Sequence, residues 1–147
     1  MRNTSLKLVK ITLLKGVTMK IYESTFYSFE LSEKYIIVRW KDNTDQMSYQ
    51  DFKDALMNFA GYVIEHKMLN VLIFAENFKF RQPEEELEWR KNEYSPRVLK
   101  VGAIKQALVM KEEFLQYVED EIGSTSAVTS RYFSDENEAT AWLESSK

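Results

Sequence analysis

The stretch SYQDFKDALMNFAGYVIEHKMLNVLIFA, residues 48–75, decides the fold. Its first part predicts a helix over residues 48–67, because apolar side chains recur along one face at helical spacing. Ser48 is the expected N-cap, and Asp51, three residues later, forms an approximate capping box with it. The closing VLIFA, residues 71–75, is apolar without alternation, which is typical of a central strand covered on both faces. A helix that leads into such a strand indicates an α/β domain.

Two strand-like runs precede this helix. They are IYESTFYSFEL, residues 21–31, and YIIVRW, residues 35–40. Both are rich in aromatic and β-branched side chains, and only a short polar stretch separates them. They therefore predict an antiparallel hairpin at the start of the sheet.

Helices and strands alternate after residue 75. Pro83 suits the first position of a helix over residues 84–94, and Pro96 is expected to end that helix. Further strands are predicted near residues 103–109 and 128–133, and further helices near residues 111–122, with Gly123 as a cap, and near residues 135–145. The order β-β-α-β-α-β-α-β-α predicts a mainly parallel sheet flanked by helices.

Three residues carry specific packing expectations. Trp142 and Leu143 lie on the apolar face of the last predicted helix, so we expect both to be buried against the sheet. Gly61 lies inside the predicted helix over residues 48–67, where glycine costs up to about 1 kcal/mol. That cost suggests a close approach by a neighbouring element.

The chain length of 147 residues predicts one domain, which we place at residues 19–147. Residues 1–18 are basic and precede Met19, a second candidate start. Their apolar run is interrupted by Lys10 and Lys15, so it does not predict a secretory signal peptide. Two interpretations of this segment stay open, a weakly ordered extension and an added edge strand. No stretch has the ~20 apolar residues of a transmembrane segment, and we expect a cytoplasmic protein.

Composition excludes several function classes. The chain has no Cys and one His, which excludes disulfide scaffolds, thiol nucleophiles and metal sites with two histidines. A net charge of −3 argues against a nucleic-acid partner. The glycines are isolated, so no phosphate-binding loop or dinucleotide fingerprint is present. We therefore expect no cofactor and no enzymatic activity. His66 is interpreted as a structural last-turn residue, and the acidic runs at residues 84–88 and 112–121 as solvated helix faces.

The segment after residues 71–75 is the candidate interaction loop. Ligands of parallel α/β sheets gather at the carboxyl ends of strands, and this segment lies at such an end. Aromatic and basic side chains alternate in it, so either set is free to face outward. The alternative is an ordinary loop whose two phenylalanines, Phe78 and Phe80, complete the core. The candidate interaction residues are Glu76, Asn77, Phe78, Lys79 and Arg81.

Three stretches resemble the SpoIIAA-like branch of the STAS superfamily, named for sulphate transporters and anti-sigma-factor antagonists. They are YIIVRWKDNTDQMSYQDFKDAL (residues 35–56), EWRKNEYSPRVLKVGAIKQALVM (residues 88–110) and RYFSDENEATAWL (residues 131–143). The resemblance covers roughly residues 20–145. It implies a domain of four or five strands with helices around them.

The resemblance also implies a function. Anti-sigma antagonists carry a phosphorylated Asp-Ser-Ser/Thr-Gly loop after the strand that corresponds to VLIFA. Here no Ser or Thr lies between Ala75 and Pro83, so that phosphorylation switch does not carry over. The resemblance predicts a non-enzymatic regulatory or interaction module, with a protein partner or a second copy of the chain. The alternative is a binder of a small apolar or lipid-like ligand, held between the sheet and the helix over residues 84–94, since the fold is likened to CRAL-TRIO lipid carriers.

Overall fold

The computed structural model of the protein describes residues 17–115 and 128–145. The expectations for most of the segment 1–18, for the second half of the predicted helix over residues 111–122 and for Gly123 lie outside the described residues.

The described residues form one mixed sheet with strands in sequential order. Strands β1, β2 and β3 pair antiparallel, and strands β3 to β6 pair parallel. The strands are β1 (Met19–Glu23), β2 (Tyr27–Leu31), β3 (Ile36–Trp40), β4 (Asn70–Phe74), β5 (Ile104–Val109) and β6 (Val128–Phe133). The α/β class and the flanking helices are confirmed, and the sheet is mixed because three antiparallel strands open it.

The helices connect or follow the parallel strands. They are α1 (Tyr49–His66), α2 (Glu86–Trp89), α3 (Ser95–Leu99), α4 (Glu112–Leu115) and α5 (Glu136–Glu144). A π-helical segment, Arg90–Tyr94, joins α2 to α3 without a break. We call α2, this segment and α3 together the composite helix. No helix in the described part of the chain is long and apolar enough to cross a membrane.

The predicted hairpin is present, but the run over residues 21–31 is two strands rather than one. The Ser24 hydroxyl accepts a hydrogen bond from the Phe26 N–H at 3.2 Å, and the Ser24 N–H donates to the Tyr27 carbonyl at 2.8 Å. This local turn reverses the chain. Ser32 closes the predicted hairpin in the same way, because its hydroxyl accepts from the Tyr35 N–H at 3.0 Å.

Helix α1 begins as the sequence predicts. The Asp51 N–H donates to the Ser48 hydroxyl at 3.0 Å, and the Ser48 N–H donates back to the Asp51 carboxylate at 3.0 Å. The helix ends at His66, with Lys67 in the left-handed conformation. His66 is in the last turn as expected, buried and stacked on Tyr62 with ring centroids 6.2 Å apart.

The expectation for Gly61 is wrong. Gly61 is exposed, and a Cβ built on it meets no atom within 4 Å. Among the described residues no neighbouring element approaches the helix there, so Gly61 makes no close packing contact with them.

The two proline expectations over the composite helix are also wrong. Helix α2 begins at Glu86, whose N–H donates to the Pro83 carbonyl at 3.0 Å, so Pro83 is in a preceding turn. Pro96 does not end the helix, because it lies in the first turn of α3. The Ser95 N–H bonds to the Arg90 carbonyl, five residues back, and this wider turn accommodates a proline ring that a regular helix would reject.

The sheet has an apolar layer on each face. Helix α1 and the composite helix pack on one face, where Phe29, Val38 and Val71 belong to the larger core. Helix α5 packs on the other face over β4, β5 and β6. Leu143 is buried there as predicted, whereas Trp142 is only partly buried.

Trp142 lies at the margin of the smaller core, beside Phe133, with ring centroids 5.9 Å apart. Cationic side chains also contact its indole: the Lys105 Nζ lies 4.6 Å and the Arg131 guanidinium 5.7 Å from its ring centroid. The Lys105 ammonium also donates to the Trp142 carbonyl at 2.6 Å, which satisfies the C-terminal end of α5.

Candidate functional site

A cavity of about 390 Å³ lies between the sheet and the composite helix. Ala75 and Met110, which directly follow β4 and β5, contribute to its wall, as does Tyr132 near the end of β6. The cavity is thus at the carboxyl ends of the parallel strands, where ligands of open α/β sheets bind. Its volume falls within the ~300–1,000 Å³ range of small-molecule sites.

One end of the cavity is aromatic. Trp40, the last residue of β3, lies 4.7 Å from Phe78 between ring centroids. Phe52, in the first turns of α1, stacks on Phe80 at 5.0 Å with an angle of 20° between the rings. All four rings line the cavity. Strand, helix and loop thus each supply part of one aromatic wall.

The structure separates the members of the candidate interaction loop. Phe78 is partly buried and lines the cavity together with Phe80, so the aromatic side of the loop faces inward. The other four candidate residues do not line the cavity. They are exposed on its outer side: Glu76, Asn77, Lys79 and Arg81.

Thr44 holds this loop in place. It is fully buried, and its hydroxyl accepts a hydrogen bond from the Lys79 N–H at 2.7 Å and donates to the Asn77 carbonyl at 3.4 Å. Thr44 belongs to the KDNTD segment, residues 41–45, whose composition is typical of a loop. Nothing in that segment shows that one hydroxyl anchors a second loop more than thirty residues away.

The sheet also contributes a polar pair to the cavity. The Gln106 amide nitrogen donates to the Ser130 hydroxyl at 2.9 Å, and the two residues are register partners on β5 and β6. Both line the cavity. The sequence already indicates that Gln106 is unusual, because this polar residue interrupts the apolar run VGAIKQALVM, residues 101–110.

A buried ion pair borders the cavity. The Arg90 Nε and Nη2 donate to the two Glu86 carboxylate oxygens, each at 2.8 Å. Glu86 is 3% exposed, whereas Glu84 and Glu85 are exposed. The interpretation of residues 84–88 as a solvated face is therefore wrong for Glu86. The pair joins positions i and i+4 of the composite helix, a spacing that the sequence displayed.

Ser95 is a buried polar residue of the cavity wall. It is 8% exposed, and its hydroxyl has no hydrogen-bond partner among the described residues. Two phenols are close by in the same wall. Burial raises the pKa of Tyr94 and of Tyr132 above their ordinary values, while the charge of Arg90 acts in the opposite direction on both. Both phenols are therefore protonated at neutral pH.

The cavity wall lacks the groups of an acid–base catalyst. Within residues 17–115 and 128–145, no carboxylate and no imidazole lines it, and Arg90 is its one ionised member. His66 is at the far end of α1 and is not part of the wall. No cluster of metal-ligating side chains occurs in the same described ranges. What the arrangement can do is enclose an apolar body and hydrogen-bond a polar group.

The chain matches no protein-family profile, no curated protein and no solved structure at a significant level.

Proposed function

We propose that the protein binds a small, largely apolar ligand in the cavity between the sheet and the composite helix. The observation that carries this proposal is the cavity itself: an aromatic wall at the carboxyl ends of parallel strands, with a few polar side chains. Binding sites for small molecules have this composition. Ligand binding is favoured over protein interaction because the aromatic residues of the loop, Phe78 and Phe80, turn inward and line the cavity.

We propose binding without catalysis. A general base must reach the reacting proton, and the described lining residues supply no carboxylate or imidazole for that role. The protonated phenols of Tyr94 and Tyr132 are suited to hydrogen bonding rather than to proton abstraction at neutral pH.

Fluorescence titration with phenylnaphthylamine, an uncharged apolar probe, tests this proposal. We expect the probe to brighten on binding, and Ala75→Leu to weaken its binding about tenfold or more, because the larger side chain occupies the cavity. Ala141→Leu is the matched control, since Ala141 is exposed on α5 and distant from the cavity wall. Equal binding by wild type and Ala75→Leu would contradict the proposal.

A second candidate function, protein interaction, is favoured by the outer side of the loop. Thr44 fixes the loop backbone, so Lys79 and Arg81 are presented to solvent from a fixed position. Arginine is enriched in binding hot spots. The partner would be another protein or a second copy of this chain.

A paired substitution separates the two functions. Lys79→Ala/Arg81→Ala should abolish capture of a partner protein, or dimer formation in native mass spectrometry, without affecting phenylnaphthylamine binding. Lys91→Ala/Arg97→Ala, at exposed positions of the composite helix, is the control of equal charge. A partner retained by the loop variant and lost in the control would contradict an interaction site at residues 76–81.

We also propose that the domain is a SpoIIAA-like STAS domain that acts in the cytoplasm without a phosphorylation switch. The sequential strand order, with helices between the parallel strands, supports the fold assignment, and the absence of Ser and Thr between Ala75 and Pro83 supports the missing switch. Co-expression with an anti-sigma kinase followed by mass spectrometry tests this. A phosphate on Ser95, or on any other residue, that alters partner binding would contradict it.

A further inference from the structure

We infer that the natural ligand has an uncharged polar end, such as an amide or a hydroxyl, attached to an apolar body. This inference deepens the proposed function and rests on it. The aromatic wall alone accepts any apolar molecule, so the polar side chains of the cavity decide which ligand is recognised.

The charge of Arg90 is already neutralised. Its guanidinium forms two hydrogen bonds of 2.8 Å to the Glu86 carboxylate, and the side chains of Arg90 and Glu86 are 18% and 4% exposed. A ligand carboxylate near Arg90 would face this carboxylate as well as the guanidinium. It would also lose its hydration without gaining an unpaired cation among the described wall residues.

The buried hydroxyl of Ser95 has no hydrogen-bond partner among the described residues. A serine within a helix commonly donates to the carbonyl four residues back, but the Ser95 Oγ makes no such bond. A hydroxyl both donates and accepts, so an amide or alcohol is its natural complement. Leaving it unbonded is costly, because buried polar groups are nearly always paired.

Gln106 adds a second hydrogen-bonding group. Its amide nitrogen is held by Ser130 at 2.9 Å, and its amide oxygen makes no hydrogen bond to the described residues. That oxygen is an acceptor, which suits a ligand N–H or O–H and repels a carboxylate. Ser95 and Gln106 together therefore favour a neutral group that donates as well as accepts.

Three probes with the same phenylpropyl skeleton test the inference: phenylpropanamide, phenylpropanoate and propylbenzene. Each is titrated by displacement of phenylnaphthylamine at neutral pH, where the acid is ionised. We expect the amide to bind wild type about tenfold more tightly than the carboxylate. Ser95→Ala should weaken the amide several-fold and leave propylbenzene unchanged, because only the amide uses the hydroxyl.

In the Glu86→Gln variant, we expect the carboxylate probe to bind more tightly than the amide probe, the reverse of the order in wild type. The substitution keeps the side-chain shape but removes the compensating charge, so Arg90 should now attract the carboxylate. If this variant fails to fold, Ser95→Ala alone decides the matter.

The outcomes distinguish the inference from the proposed function. A carboxylate that binds wild type as tightly as the amide, or an equal effect of Ser95→Ala on the amide and propylbenzene, overturns the inference alone, provided that Ala75→Leu still blocks the probes. Failure of all three compounds to displace a probe whose binding Ala75→Leu weakens also overturns the inference alone. Phenylnaphthylamine binding that Ala75→Leu does not affect overturns both.

Discussion

The buried hydroxyl of Thr44 accepts a hydrogen bond of 2.7 Å from the backbone N–H of Lys79. This bond joins the loop after β3 to the loop after β4. Lys79 lies between Phe78 and Phe80, so the bond fixes the segment that carries both cavity-lining rings. One side chain thus connects the stability of a loop to the shape of the candidate site.

Thr44→Val should therefore weaken both stability and ligand binding. Valine has nearly the same shape, but it leaves the Lys79 N–H without its acceptor, at a cost of about 1–3 kcal/mol in the free energy of unfolding. Urea denaturation measures the loss, and the phenylnaphthylamine titration measures the effect on binding. Thr44→Ser should restore most of both, whereas Thr129→Val, at an exposed position of β6, should change neither. Unaltered probe binding in Thr44→Val would show that the hydrogen bond between Thr44 and Lys79 is not needed to shape the cavity.

Local sequence chemistry was sufficient for most elements of the fold. The capping box of Ser48 and Asp51, the apolar run within β4 and the alternation of later helices and strands depend on near neighbours, and the structure contains them. The run over residues 21–31 has an aromatic pattern typical of one strand, but its polar pair Ser24–Thr25 forms a turn that divides it into two strands.

The candidate site was less predictable, because distant residues decide it. Alternation places Phe78 and Phe80 on one side of their segment, but only the rings of Trp40 and Phe52 determine that this side faces inward. Similarly, nothing within a run of glutamates distinguishes Glu86 from its exposed neighbours; its burial depends on how the composite helix packs on the sheet.

Gly61→Ala should stabilise the protein by about 0.5–1 kcal/mol. Gly61 is inside α1, exposed, and has no atom within 4 Å of a built Cβ, so alanine lowers the entropic cost of the helix without a clash. Urea denaturation measures the change. Gly102→Ala is the contrasting variant: its φ of 147° strains any other residue, and its Cβ would lie 3.2 Å from a Leu69 methyl group, so stability should fall. A lower free energy of unfolding for Gly61→Ala would show that another part of the protein packs closely against α1 at this position.

The ion pairs of Glu23, at the edge of the sheet, make the free energy of unfolding depend on pH in the acid range. Hydrogen bonds of 2.8 Å from the Lys20 and Lys41 ammonium groups lower the pKa of Glu23 from 4.5 to about 2. The folded state therefore holds this proton less tightly than the unfolded state. Its stabilising contribution is complete above pH 4.5 and is lost as the pH falls toward 2.

Glu23→Gln should remove that part of the pH dependence. We expect the urea midpoints of wild type and variant to differ most near neutral pH and to converge at the acid end of the range. The difference should be small and should shrink in high salt, because the ion pairs are exposed. Parallel acid profiles for the two proteins would show that Glu23 keeps an ordinary pKa.

Two buried serines in the cavity wall differ in one respect. Ser130 is 2% exposed and accepts a hydrogen bond from the Gln106 amide at 2.9 Å. Ser95 is 8% exposed, and its hydroxyl is unpaired within the described residues. The same substitution should therefore change the free energy of unfolding in opposite directions at the two positions.

Ser95→Ala should raise the free energy of unfolding of the ligand-free protein by about 1–2 kcal/mol, since it removes the desolvation cost of an unpaired hydroxyl and alanine is the better helix former. Ser130→Ala should lower it by about 1 kcal/mol, because it deprives the Gln106 amide of its acceptor. Urea denaturation of both variants without added probe measures the two signs. If the Ser95 hydroxyl contacts a ligand, it should lower the stability of the ligand-free protein and strengthen the binding of an amide probe. A loss of stability in Ser95→Ala would mean instead that the hydroxyl already has a partner within the protein.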